Sequence, residues 1–266
     1  MQPALVVALL WMVFAGTHIG LASAPLRARL VARLGEMGFT LLFYVIAATS
    51  FAVLIAYYAA HRFAGAPGLS AASTPLLRVP LMLLIVAGFM LIVPALLGYP
   101  RLPSALFGQA IGTPRGVERI TRHPFFAGMA LFGAAHALLA THLVGTVFFG
   151  ALALFSAVGA WHQDRKLLAR RGQPYAAYLA GTSAVPFAAI LAGRQHLIWK
   201  ELPIGGLLGG VAAALALRIG HDGLWAHDGA WITIAVGGGG ALAGINAWRR
   251  SRRVRRRARS VPASAQ

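Results

Sequence analysis

Residues 79–98 read Val79-Pro-Leu-Met-Leu-Leu-Ile-Val-Ala-Gly-Phe-Met-Leu-Ile-Val-Pro-Ala-Leu-Leu-Gly98, an unbroken run with no charged side chain. An α-helix rises about 1.5 Å per residue, so a run of this length reaches across the roughly 30 Å hydrocarbon core of a bilayer. Further apolar runs lie at 3–22, 39–60, 124–143, 144–161, 202–218 and 230–248. They predict an all-α, polytopic bundle of about seven spans. The count falls to six if one of the two shortest runs, 144–161 or 202–218, is tilted or re-entrant. Composition agrees: 58% of the 266 residues are hydrophobic and 11% charged, with a mean hydropathy of +0.70, whereas soluble domains carry about 25% charged residues.

The net charge of +18 would suggest nucleic acid on a soluble fold, but here the basic residues sit in blocks between spans. With the N-terminus outside, the inner segments 23–38, 99–123, 162–201 and the tail hold 3, 4, 6 and 8 of the 24 Lys and Arg. Outside remain Arg62, Arg78 and Arg218. This asymmetry predicts a bacterial inner-membrane protein with a periplasmic N-terminus and a cytosolic C-terminus. The chain divides into one transmembrane domain, 1–248, and a basic tail, 249–266, expected to be disordered and to lie on anionic lipid headgroups rather than on nucleic acid. Ala22-Ser23-Ala24 resembles a signal cleavage site, yet no Lys or Arg precedes Arg27 and Pro25 follows the cut, so the first span is read as a retained helix.

The absence of cysteine excludes thiolate haem ligation, covalent haem attachment, cysteine zinc sites and thiol catalysis. Acids are scarce as well. Glu36, Glu118, Asp164 and Glu201 fall in inner segments and Asp222 and Asp228 in outer ones, so no carboxylate pair is expected within the hydrocarbon and no catalytic residue is assigned.

Nine histidines remain, of which His18 and His136 lie well inside predicted spans. Small residues flank both, in Gly16-Thr-His-Ile-Gly20 and Gly133-Ala-Ala-His-Ala137, leaving bare helix surface for a close neighbour. An intramembrane imidazole needs a partner, so two readings stand: bonded core histidines, or two neutral axial ligands of a b-type haem drawn from different helices. His123 lies about 140° around the helix from His136 and precedes Pro124, which suits a first helical turn. It reads as a membrane-edge residue beside Arg119 and Arg122, structural or anion-binding.

Arg119-Ile-Thr-Arg-His-Pro124, Ala135-His136, Trp161-His-Gln-Asp-Arg165 and the block from Thr182 to Arg194 resemble the NnrU-type membrane proteins, the group that includes 15-cis-zeta-carotene isomerase. The resemblance implies a haem b protein that turns a cis double bond of a polyene into trans, with the lipid bilayer as its surroundings. For a bacterial branch it implies instead a non-catalytic haem-bearing accessory working with respiratory proteins of denitrification and nitric oxide metabolism. By motif position His18 and His136 become the iron ligands, with His162 and His123 as substitutes and Arg119 and Arg122 as cofactor-binding cations. Arg122-His123-Pro124 also resembles isoprenylcysteine methyltransferases, a weaker match because the later spans offer few polar groups for S-adenosylmethionine.

Overall fold

The computed structural model describes residues 2–98 and 111–242. Helix α1 (Pro3–Ala22) and helix α2 (Ala24–His61) are separated only by Ser23, whose extended backbone interrupts the helix ahead of Pro25. Inside α2 the helix breaks at Gly35, with φ 70° and ψ 169°, a conformation that a side chain would strain. Residues 24–34, with their three arginines, are thus set apart from the apolar run that follows, and Arg27 bridges the break to Glu36 at 2.6 Å.

Helix α3 (Pro75–Leu97) contains the opening stretch. Then come α4 (Pro124–Leu139), α5 (Leu143–Arg171), α6 (Gln173–Gly181), α7 (Ile204–Ile219) and α8 (230–242). Side by side they form a row in the order α7, α3, α4, α5, α1, α2, and the turn Gly223–Gly229 folds back onto α2. No strand occurs among the described residues, apart from an isolated bridge between Pro67 and His142.

The all-α bundle of the sequence reading is observed, and its count of seven spans is corrected. Among the described residues four helices, α1, α2, α3 and α5, are long and apolar enough to cross a membrane, and the run 230–248 lies partly outside them. A fifth exists only if α7 and Gly223–Leu242, which meet at 67°, count as one bent span. The run 124–143 yields only the 16-residue α4, about 24 Å of helix against the roughly 30 Å a crossing requires. It stops at Ala140 because Thr141 and Ala140 give their carbonyls to Gly68 and Ser70. The run 144–161, expected among the shortest, is instead the start of a 29-residue helix that carries Asp164.

Small residues set the helix spacing. A Cβ on Gly128 would stand 2.5 Å from the Gly88 carbonyl oxygen, and one on Gly88 would stand 2.8 Å from that of Gly128, so α3 and α4 touch backbone to backbone. Gly128→Val is expected to cost about 1–3 kcal/mol by overpacking, seen as a lower unfolding midpoint in detergent; an unchanged midpoint would mean the helices are free to separate. The apolar core lies where Val7, Trp11 and Phe14 of α1 meet Leu54, Ile55 and Tyr58 of α2 and Val144, Phe148 and Phe149 of α5.

Candidate functional site

The sequence blocks 119–124, 161–165 and 182–194 converge at one end of the bundle. Just before α4, the Arg122 N–H donates to the Ser183 carbonyl and the Thr121 hydroxyl to that of Ala184, both at 2.8 Å, while the Phe187 N–H donates to Ile120. Asp164, where α5 continues past its apolar run, closes the cluster. One carboxylate oxygen accepts from Arg122 Nε and Nη2 at 3.0 and 2.7 Å. The other accepts from His123 Nε2 at 2.6 Å and from the Tyr175 hydroxyl of α6. Burial, then the bond to Asp164, pushes the Tyr175 hydroxyl well above its ordinary range.

His123 is therefore a buried structural residue, 3% exposed, with its Nε2 committed to the chain's own carboxylate. Arg119 likewise makes a two-pronged contact with Glu201 at 2.8 and 3.2 Å and a third bond to Gln195. That guanidinium, with the Gly116 N–H, holds the Glu201 carboxyl down at about 2. A depressed carboxylate contributes stability above its unfolded pKa and loses it as pH falls through the folded value. The stability difference between the parent and Glu201→Gln should thus stay level from neutral pH to near 4.5, the ordinary value, and vanish as pH approaches 2; a difference already gone at pH 4.5 would show the pair is broken in solution.

The other ligand candidates lie apart from this cluster. His18 packs among Phe14, Phe43 and Phe155, with ring centroids at 5.4, 5.0 and 5.7 Å. Its Nδ1 is buried and has no hydrogen-bond partner among the described residues, and the same holds for His162 Nε2 and Trp11 Nε1. All three belong to α1 or α5. One turn beyond His18 the Ala22 carbonyl accepts from Lys166 Nζ, itself one turn beyond His162, so both imidazoles stand on the parallel α1–α5 seam.

His136 sits toward the far end of α4, between Phe132 and Phe149 at 4.2 and 4.7 Å, with Nδ1 bonded to the Phe132 carbonyl at 3.0 Å. That bond leaves Nε2 as the lone-pair nitrogen, the arrangement usual in metal-bound histidine. Rings link His18 to His136 in succession: Phe155, Trp11, Phe148 and Phe149, with centroid spacings of 5.7, 5.8, 5.8, 5.0 and 4.7 Å. His18 and His136 are thus separated by an aromatic core, while His18 and His162 share a seam.

A family model described as NnrU protein matches residues 6–228. The chain belongs to the NnrU family. It is similar to the chloroplastic 15-cis-zeta-carotene isomerase of Arabidopsis thaliana, with 30% identity over 202 residues, 74% of this chain and 53% of that protein. To the enzyme of the same name from Zea mays it is 32% identical over 200 residues, 72% of this chain and 52% of that one. The chain thus spans about half the length of the curated relatives it matches. No solved structure matches it.

Sequence reasoning marked Arg119, Arg122, His123 and Asp164 but missed their partners. Tyr175 and Glu201 lie 11 and 82 residues from the groups they bind, and no local spacing signals either contact.

Proposed function

We propose that this NnrU chain is a membrane-embedded haem b protein that isomerises a cis double bond of a hydrophobic polyene. The observation that carries the reading is the similarity to two 15-cis-zeta-carotene isomerases over nearly three quarters of the chain. The residues that fit the cofactor are those of the α1–α5 seam, where His18 and His162 each keep a buried ring nitrogen with no partner among the described residues. Among the described residues no three His or carboxylate side chains gather as a metal site, and the donors on offer are single imidazoles with buried or open ring nitrogens. In this assignment His18 and His162 hold the iron, because four aromatic rings stand between His18 and His136, the pair that the motif positions favour. When bound, haem iron would supply a coordination position beside a conjugated double bond, lowering the barrier to its rotation.

The chain's own part is binding and orientation. Phe132 O fixes the His136 tautomer, and the packed Trp11, Phe148, Phe149 and Phe155 rings keep water from the interior. Arg119 and Arg122 reach a propionate only by exchanging Glu201 or Asp164 for it. The bilayer delivers the substrate, and a periplasmic N-terminus with a cytosolic C-terminus completes the assignment; the arginine tail that supports it, like the 1–248 and 249–266 division, lies outside the described residues.

The test is expression with haem supplied, purification in detergent, a pyridine haemochrome assay and chromatography of a cis-polyene incubated with the reduced protein. A haem b spectrum with conversion to the trans isomer is expected. A colourless, folded protein would remove the cofactor, and a coloured protein without turnover would remove the isomerase.

A further inference from the structure

The segment between α6 and α7 behaves unlike the solvated inner loop that its basic residues predict. It is held firmly: Arg194 and Gln195 N–H groups both donate to the Ala189 carbonyl, and the Arg194 guanidinium donates to the Ala180 and Thr182 carbonyls. Ala189 is fully buried, yet the same segment exposes Val185, Phe187, Leu191, Ile198 and Trp199, with Leu191 at 86% and Trp199 at 73%. Phe187 takes a left-handed backbone, φ 63°, which is strained for an aromatic residue. Bonds to Ile120 and from Leu191 hold it there, so the side chain is kept outside the fold.

Position says what covers these side chains. Residues 183–187 are bonded to 120–122, immediately before α4, and Trp199 to Glu201 immediately precede α7. The segment is therefore tethered at the level where apolar helices begin, the depth at which Trp and Phe meet headgroups. Its one acid, Glu201, is neutralised by Arg119, leaving Arg194 and Lys200 as net positive charge. We propose that residues 183–201 form a membrane-surface foot whose apolar side chains enter the leaflet beside the α4 N-terminus and whose cations sit on anionic lipid headgroups.

The chain has no cysteine, so single thiols report directly. Leu191→Cys, Trp199→Cys and, as a solvent-side reference, His196→Cys would each carry a nitroxide in full-length protein reconstituted in phosphatidylcholine–phosphatidylglycerol vesicles. All three positions are exposed, so none empties the core. At 191 and 199 the ratio of oxygen to nickel-chelate accessibility should exceed that at 196 several-fold, and pure phosphatidylcholine should lower it. Nickel access at 191 and 199 equal to that at 196 would overturn the foot, as a water-exposed loop. Exclusion of both relaxers with dipolar broadening would also overturn it, by placing a second copy of the chain there. A ratio indifferent to phosphatidylglycerol would overturn the anionic headgroup contact.

Discussion

His18→Ala is expected to lower haem content at least about 10-fold, because an axial ligand contributes more than the outer partners whose loss alone costs 10–100-fold. His162→Ala should do the same and His136→Ala should leave the pyridine haemochrome value unchanged. Haem loss in His136→Ala with full retention in His162→Ala would move the second ligand onto α4. Retention in both His18→Ala and His162→Ala would remove the pair. A second readout separates ligation from folding. Nδ1 of His18 is buried without a partner among the described residues, and such a group costs about 1–3 kcal/mol. In haem-free protein His18→Leu, of similar size and apolar, should therefore stabilise, whereas in haem-loaded protein it should destabilise. Unfolding midpoints that shift the same way in both forms would show that the imidazole has no ligand to lose.

Asp164→Ala is expected to destabilise by about 3–5 kcal/mol, the usual cost of removing one partner from a buried ion pair. The charge left behind is Arg122, with a side chain 15% exposed, beside His123 at 2%. Asp164→Asn keeps a carbonyl acceptor and should lose less. Replacing both members, Arg122→Leu with Asp164→Leu, should be milder than Asp164→Ala alone, since no orphaned charge remains. Reversible unfolding in mixed micelles measures all three, and a loss below about 1 kcal/mol for Asp164→Ala would mean that water already screens the cluster.

How much of this was legible in sequence depends on the range of each interaction. The α3 span is visible because twenty consecutive residues avoid charge, a property of composition alone. The shortness of α4 is not, because apolar residues continue past Leu139 and the helix ends through hydrogen bonds from Gly68 and Ser70, 73 and 70 residues before the carbonyls they bind. Likewise Arg122, His123 and Asp164 stand out as a polar set at a membrane edge. Their pairing needs α4 and α5 to be antiparallel neighbours, and the Tyr175 contact further needs α6 to turn back after Gly172. The aromatic core between His18 and His136 was invisible for a related reason: its rings come from α1 and α5, whose register no local pattern fixes.

The brevity of α4 also bears on the lipids this protein keeps. Flanked by helices of 23 and 29 residues, a 16-residue helix leaves a hydrophobic mismatch of roughly 6 Å at 1.5 Å per residue. The annulus of acyl chains alongside it must thin to match, at fractions of a kcal/mol per Å. Short-chain lipids should relax that deformation and long-chain lipids sharpen it, making membrane thickness a control on the end of α4 that carries His136.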